Sequence, residues 1–225
     1  MMKCEEVIKK LEKEANPVNV AGMARFGINP DKTLGVSIPF LRKLAKETGK
    51  NHDLAKELWL SGIHEARILA GLIDDPDRVT KKQMDRWVED FDSWDVCDLI
   101  CSNLFDKTEF AHKKAFEWTT RDEEFVKRAG FVMMATLSVH DKKASDGEFE
   151  KFLPIIVREA KDERNYVRKA VNWALRQIGK RNRALNKKAI QTAEKIRRID
   201  SKSARWIAAD ALRELKSDAV QRRLK

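Results

Sequence analysis

The chain has 225 residues and a formal net charge of +10, from 46 basic and 36 acidic residues. Its 9 glycines and 5 prolines are few, which argues against a β-sandwich or a doubly wound sheet, because both need many turns that contain these residues. No uninterrupted apolar run is long enough for a transmembrane helix, and the acidic start of the chain does not resemble a signal peptide.

Helical periodicity runs through almost the whole chain, and short breaks separate the helices. Breaks are predicted at Asn16-Pro17, residues 27–35, residues 74–76 and Gly179. Side-chain caps are predicted to start helices after Ser37, Thr80 and Ser145, with Glu148 completing a capping box. We therefore expect about twelve to fourteen helices and no strand.

Four segments carry an apolar stripe at helical spacing. The clearest is 165–180, where apolar residues recur at i, i+3, i+4, i+7, i+8 and i+11. The other three are residues 63–73, 125–137 and 149–157. Each stripe predicts a helix with one buried face.

An internal repeat relates several of these helices. An arginine followed by small and apolar residues occurs at Arg67, Arg128, Arg168 and Arg205, and the last three are 40 and 37 residues apart. This spacing lies in the range of HEAT-type helix pairs. We therefore predict an all-α solenoid of stacked antiparallel helix pairs with a concave basic face, forming one domain over residues 1–225. The alternative is a helical bundle without repeats.

Positive charge is concentrated in the last third of the chain. Residues 1–150 contain 24 basic and 28 acidic residues, whereas residues 151–225 contain 22 basic and 8 acidic ones. Such a distribution is typical of a surface that binds nucleic acid. The alternative is a basic surface without a partner.

Trp173 lies off the apolar stripe of its predicted helix. On a helical wheel it falls nearly opposite the stripe, together with Lys169, Arg176 and Lys180. An aromatic ring among cations suits a deoxyribose or a base held beside phosphates. The alternative is that Trp173 packs on the next helix.

Trp94 and Asp98 form a second pair outside a predicted stripe. They are one turn apart and share the face away from Val96, Leu99 and Ile100. Because an apolar ring surface raises the free energy of a nearby charge, the carboxylate is suited to meet a positive centre. Trp206 and Asp210 repeat the spacing, so the pattern is also compatible with a surface acid and a packing aromatic.

The cysteines and histidines do not form a site of their own. The three cysteines cannot build a disulfide framework, which favours a reducing cytoplasm. Cys97 and Cys101 are one turn apart, but the four histidines are scattered, so two partly buried structural thiols are expected and a metal site is not. No phosphate-binding Gly-rich loop is present.

Three landmarks in order resemble the AlkC/AlkD alkylpurine DNA glycosylase family of HEAT-like-repeat proteins. They are residues 94–98 (WDVCD), 126–129 (VKRA) and 167–176 (VRKAVNWALR), and the resemblance extends from about Met23 to Trp206. It implies a monofunctional glycosylase, without a metal or organic cofactor, that excises cationic N3- and N7-alkylated purines from double-stranded DNA. It also implies a protein that works without a deep pocket for a flipped base.

The resemblance also implies roles for individual residues. Asp98 would be the catalytic carboxylate, Trp94 and Trp173 would flank the deoxyribose of the lesion, and Arg128 would contact the DNA backbone. We add cations of the basic segments as DNA contacts: Lys127, Arg168, Lys169, Arg176, Lys180 and Arg205. Phe26 occupies a region where relatives often carry a tyrosine, and Cys97 a position where an aliphatic residue is expected.

Other expectations concern the setting of the protein. We expect a cytoplasmic monomer, associated with the nucleoid when it acts and not with a membrane. The first alternative function is a non-catalytic HEAT-like protein that binds damaged or branched DNA. The second is a protein-binding scaffold, a common function of α-solenoids.

Overall fold

The computed structural model describes residues 2–224, and within them it is helical without any strand. Fifteen α-helices and two 3₁₀ helices are present in this range, and two of the α-helices have only five and four residues. None of the helices in residues 2–224 is both long and apolar enough to cross a membrane. The chain divides into two compact units, residues 1–110 and 111–225, so the prediction of one domain stays a prediction.

Unit 1 (residues 1–110) contains seven α-helices. They are α1 (Cys4–Lys13), α2 (Pro17–Arg25), α3 (Ile38–Thr48), α4 (His52–Leu60), α5 (His64–Ile73), α6 (Lys81–Glu89) and α7 (Trp94–Asn103), with 3₁₀ helices at Pro76–Arg78 and Phe105–Lys107. Unit 2 (residues 111–225) contains eight. They are α8 (Ala111–Trp118), α9 (Glu124–His140), α10 (Asp146–Glu150), α11 (Leu153–Glu159), α12 (Asn165–Gly179), α13 (Arg183–Arg197), α14 (Lys202–Leu215) and α15 (Asp218–Gln221).

Two of the three predicted caps are confirmed. The Ser37 hydroxyl accepts the backbone N–H of Phe40, and the Thr80 hydroxyl accepts that of Gln83 at 3.2 Å. Ser145 does precede α10, but its side chain makes no cap hydrogen bond, so the predicted capping box is wrong. The five-residue α10 therefore starts without the stabilisation that a side-chain cap gives.

The predicted helix over residues 149–157 is two helices in the structure. Helix α10 ends at Glu150 and α11 begins at Leu153, with Pro154 in its first turn. Proline has no N–H to donate, and its ring would clash with the carbonyl group four residues earlier, so one helix cannot continue through it. The apolar side chains on both sides of the break, including Phe149 and Ile156, are nevertheless buried.

In unit 1, a close approach of α5 and α7 fixes the helix that carries Trp94 and Asp98. A Cβ atom added at Gly71 in α5 would lie 2.4 Å from Ile100 Cδ1 in α7, so a larger residue would require the Ile100 side chain to shift. Arg67, which is also in α5, donates to the backbone carbonyl of Asp90 at 3.0 Å, shortly before α7 begins. Together these contacts attach α7 to its neighbour.

In unit 2, helix α12 is the centre of the core. Its predicted stripe is confirmed, because all six apolar residues of the stripe are fully buried. Two of the repeated arginines contact other helices of unit 2: Arg128 in α9 donates to the Tyr166 carbonyl in α12 at 2.6 Å, and the Arg168 guanidinium lies 5.3 Å from the Trp206 ring of α14. At these two positions the arginine pattern thus marks contacts between helices.

Candidate active site

Helices α2, α5 and α7, with the segment between α2 and α3, line an open cavity of about 710 Å³ in unit 1. Most of its wall is apolar, and Trp94 and Asp98 line it together. The apolar residues of the wall are Val18, Met23, Phe26, Ile28, Val36, Ile38, Ile68 and Leu99. A carboxylate and an indole ring therefore face the same apolar space.

The position of Trp94 and Asp98 follows from where α7 begins. Trp94 is the first residue of the helix and Asp98 lies one turn later, so both project from one face. Both are partly exposed, whereas Val96 and Ile100 on the other face are fully buried. This agrees with the helical wheel except at Leu99, which lines the cavity rather than the buried stripe. The catalytic roles of Trp94 and Asp98 stay predictions.

Hydrogen bonds attach the segment after α2 to the start of α7. The indole N–H of Trp94 donates to the Phe26 carbonyl at 3.1 Å, which fixes the plane of the ring. The hydroxyl of Ser93, a buried residue, accepts the backbone N–H of Asn29 at 3.0 Å rather than capping α7. Phe26 therefore contributes to the site in two ways. Its carbonyl group accepts from Trp94, and its ring lines the cavity although the residue is 75% exposed.

Glu65 holds the other wall of the cavity. Its carboxylate is buried and accepts the backbone N–H groups of Leu34, Gly35 and Val36 at 2.9, 2.6 and 3.2 Å. Gly35 is required there, because its φ is +78° and a Cβ atom would lie 2.3 Å from the Asn16 carbonyl oxygen. The segment that the sequence predicts only as a break is therefore a rigid part of the cavity.

His64 and Asp95 form an ion pair that lines the same cavity. His64 Nε2 and Asp95 Oδ2 are 2.9 Å apart, and the histidine side chain is only 3% exposed. Burial lowers the pKa of His64, but the hydrogen bond and charge of Asp95, with nearby Glu65, raise it more, so the net pKa is above its ordinary value. The cavity thus contains a histidine that holds its proton to higher pH than a free histidine does.

Other polar side chains of the wall already have hydrogen-bond partners. Asn19 donates to the Gly35 carbonyl at 2.9 Å, and Ser37 caps α3. With Glu65 and the His64–Asp95 pair also engaged, the wall has few groups left to bind the polar edge of a base.

The two cysteines of α7 are part of the core. Cys97 and Cys101 are both fully buried, so the expectation of partly buried thiols is corrected. Burial raises the pKa of Cys101 well above its ordinary value, which keeps the thiol protonated and unreactive. In the part of the chain that the structure describes, no group of three or more His, Cys, Asp or Glu residues could hold a metal ion.

Trp173 belongs to unit 2. It lies on α12 with its side chain half-buried, on the face away from the buried stripe, and Lys169 one turn earlier is exposed. Because Trp94 and Asp98 belong to unit 1, a common cleft of the three residues stays a prediction.

Several predicted DNA-binding cations of unit 2 are in ion pairs with acids on other helices. Arg176 pairs with Glu214, which also accepts from Lys180 at 2.6 Å. Burial raises the pKa of Glu214, but the hydrogen bond from Lys180 and the charge of Arg176 lower it more, so the net pKa is below its ordinary value. The wheel placed these cations outward correctly but could not show their partners, which are 34 to 38 residues away.

The remaining predicted cations differ in their exposure. Arg128 is 5% exposed, and Lys127 pairs with Glu159 at 3.0 Å in a largely buried setting. Arg205 is exposed and pairs with Asp200 at 2.9 Å. Contacts of these cations with DNA stay predictions, and for Arg128 the structure already provides a partner within unit 2.

Residues of the site that the sequence did not single out are those that organise the cavity. His64, Glu65 and Asp95 contribute through partners about 30 positions away in the chain, and Phe26, which the sequence named only as a departure from the family, through a partner 68 positions away. The only local signal was the position of Asp95 beside Trp94. Their roles depend on distant contacts that no single-sequence pattern contains.

The family model of the DNA alkylation repair enzymes matches residues 7–215. The chain belongs to this family. Membership of this family agrees with the concentration of positive charge in the last third of the chain. It also agrees with the resemblance carried by residues 94–98, 126–129 and 167–176. A comparison with curated proteins finds no significant match.

One solved structure shows the fold of this DNA alkylation repair family member. One chain superposes with a TM-score of 0.78 at 20% identity, over 94% of this chain and 95% of that one. It is described as a new family of proteins related to the HEAT-like repeat DNA glycosylases, with affinity for branched DNA structures. An engineered protein matches with a TM-score of 0.40 at 14% identity, over 78% of this chain and 90% of that one. The predicted all-α, HEAT-like repeat fold is confirmed.

Proposed function

We propose that this protein is a DNA glycosylase that hydrolyses the N-glycosidic bond of cationic N3- and N7-alkylated purines in duplex DNA. The observation that carries the proposal is the placement of Asp98 beside Trp94 in a largely apolar cavity, in a chain of the DNA alkylation repair enzyme family. A negative charge beside apolar side chains interacts more strongly with a positive reaction centre than one in bulk water does.

The chemistry needs one carboxylate rather than two. A cationic alkylpurine leaves as a neutral base, so no acid has to protonate the leaving group as in ordinary glycoside hydrolysis. Asp98 would stabilise the oxocarbenium-like sugar and orient the attacking water. Trp94 and Trp173 would flank the deoxyribose and stabilise its developing positive charge through their rings.

The cavity is poorly suited to read a flipped base by hydrogen bonds. Its polar side chains Asn19, His64, Glu65 and Asp95 already have partners within unit 1. Enzymes that flip a base read its polar edge inside a pocket. This supports a glycosylase that recognises the positive charge of the lesion and the sugar rather than the base edge.

DNA binding is assigned to the basic surface of unit 2. Lys169 is exposed and free to contact a phosphate, whereas Arg176, Lys180 and Arg205 would exchange carboxylate partners for phosphates. Such contacts fix the position of the protein on the duplex without reading sequence.

A second candidate function is binding of branched DNA without base excision. It is favoured by the solved structure of similar fold, which is described as having affinity for branched DNA structures. This function would keep the basic surface and would not need Asp98.

The two candidates are separated by measuring release of N7-methylguanine from duplex DNA by the wild type and by Asp98→Asn. We expect wild-type release and a loss of about 100-fold or more in the variant, because the charge of the carboxylate is removed with little change in shape. Asp77→Asn is the matched control, since it removes the same charge from an exposed aspartate of unit 1 that does not line the cavity. It should release the base at nearly the wild-type rate.

The second measurement is the affinity of the same proteins for this duplex and for a branched DNA. Equal release by the wild type and Asp98→Asn would refute the catalytic role of Asp98. No release by any protein, together with tight binding of branched DNA, would favour the second candidate. Thermal melts of all three proteins verify that the variants are folded.

A further inference from the structure

A second cavity lies in unit 1 between α4 and α6, and no described residue lines both this cavity and the one beside Asp98. Its volume is about 320 Å³. Three cations, Lys56, Lys82 and Arg86, line it together with the buried His52. We infer that this cavity binds a phosphate group.

The cations of this cavity are unusual for unit 1, where 20 acidic residues outnumber 17 basic ones. Lys56, Lys82 and Arg86 are exposed, and within residues 2–224 none of them forms an ion pair. The one acid of the wall is Asp90, whose carboxylate accepts the indole N–H of Trp59 at 2.8 Å. The cavity is therefore positively charged within a unit that is acidic as a whole.

The histidine of the wall is held in place by a buried carboxylate. Asp74 is fully buried and lies 2.7 Å from His52 Nδ1, and it accepts Gln83 Nε2 at 2.6 Å and the Asp75 backbone N–H at 2.8 Å. Burial raises the pKa of Asp74, and the hydrogen bonds of His52 and Gln83 lower it in part. With these contacts the carboxylate fixes the orientation of the imidazole ring.

This orientation leaves one ring nitrogen of His52 toward the cavity. Because Nδ1 is engaged with Asp74, Nε2 is the ring nitrogen left to face the space that His52 lines.

The groups of the cavity match the chemistry of phosphate. A phosphate presents negative charge and acceptor oxygens, which complement the three cations and the hydroxyl of Thr80. Leu60, which also lines the cavity and is 78% exposed, offers apolar contact to a sugar. The phosphate can belong to a nucleic-acid strand or be free, and Leu60 favours the strand.

The test titrates the intact protein with inorganic phosphate and with a short oligothymidine, with and without a 5′-phosphate. The indole N–H signals of Trp59 and Trp87, which line the cavity, report binding by NMR. We expect saturable shifts with wild type and binding weakened by about tenfold or more in Lys56→Ala/Arg86→Ala. Both substitutions are at exposed positions, and thermal melts check that the variant is folded.

A matched control removes the same charge elsewhere in unit 1. Lys9→Ala/Lys43→Ala changes two exposed lysines of α1 and α3 that do not line the cavity, and it should bind like the wild type. Saturable binding of inorganic phosphate supports a site for free phosphate, and binding of the oligothymidine alone supports a strand site. The inference is overturned if no probe gives saturable shifts, or if both double variants weaken binding equally. Neither result depends on base release, so it is separate from the glycosylase proposal.

Discussion

Helices α7 and α14 carry the same residue types at the same spacing, Trp94 with Asp98 and Trp206 with Asp210. Asp98 lies with its tryptophan on the wall of a largely apolar cavity. Asp210 instead pairs with Arg213 and accepts Asn172 Nδ2 at 2.7 Å. The same spacing therefore produces a candidate catalytic acid in unit 1 and a structural acid in unit 2. The neighbours on other helices make the difference.

The two units differ in a similar way in their charges. Unit 1 is slightly acidic and contains the apolar cavity, whereas the basic residues concentrate in unit 2. Much of the positive charge of unit 2 is paired with carboxylates, as at Glu159 and Glu214. A count of charges thus overstates the number of cations that are ready to bind phosphate.

The largest expected effect is the loss of duplex affinity with rising salt. It tests whether DNA phosphates replace the carboxylates in these ion pairs. If five cations each neutralise a phosphate, duplex affinity should fall about 250- to 1,000-fold between about 50 and about 200 mM salt. Affinity measured across this salt range gives the slope of log K against log[salt], expected at about −4 to −5. A slope near −1 would mean that the ion pairs of unit 2 stay closed on DNA.

The same measurement on single variants sharpens the result. Lys169→Ala removes an exposed cation of α12 and should reduce the slope by about 1. Lys43→Ala removes an exposed lysine of unit 1 and should leave the slope unchanged.

The next effect tests the structural role of Asp210. Asp210→Ala removes the acceptor of the Asn172 amide, a residue that is 1% exposed, and should lower the free energy of unfolding by about 1–3 kcal/mol. Urea denaturation measures the change. Asp200→Ala, which removes a fully exposed partner of Arg205, is the control and should have no measurable effect. Equal stability of Asp210→Ala and the wild type would mean that Asp210 is not a structural acid, and its contrast with Asp98 would be lost.

The smallest expected effect concerns His64 in the cavity of unit 1. Its folded-state pKa is raised above 6.5, so the pair with Asp95 stabilises the fold fully at pH values below 6.5. That contribution is lost as the pH rises through the folded-state pKa. The difference in unfolding free energy between wild type and His64→Gln, measured by urea denaturation across this pH range, should therefore shrink with rising pH. A difference independent of pH would contradict the assignment.

The fold was largely predictable from local patterns. The stripe of α12, the caps at Ser37 and Thr80 and the end of α12 at Gly179 are where the sequence places them. The errors concern weaker signals: Pro154 divides one predicted helix into two, and Ser145 makes no cap hydrogen bond. Proline at the start of a helix is favourable, so an apolar stripe across it is compatible with two helices.

The candidate site was predictable only in part. The helical wheel separates Trp94, Asp98 and Trp173 from the apolar stripes of their helices. It can do so because the period of an α-helix is a local property of the backbone and needs no tertiary contact. The cavity, however, depends on Glu65 reaching the backbone of residues 34–36 and on Trp94 reaching Phe26. These partners lie about 30 to 70 residues apart, and no local pattern relates them.

The sequence by itself therefore determined the helices, their buried faces, the concentration of positive charge and the family. Local periodicity and composition are enough for the first three, and the family followed from the resemblance of three short motifs; none of these depends on distant contacts. Only the tertiary structure decided which tryptophan–aspartate pair lies on a cavity, which cations are paired and which histidine faces the second cavity. The physical reason is that the environment of a charge is set by side chains of other helices, which folding brings within hydrogen-bond distance.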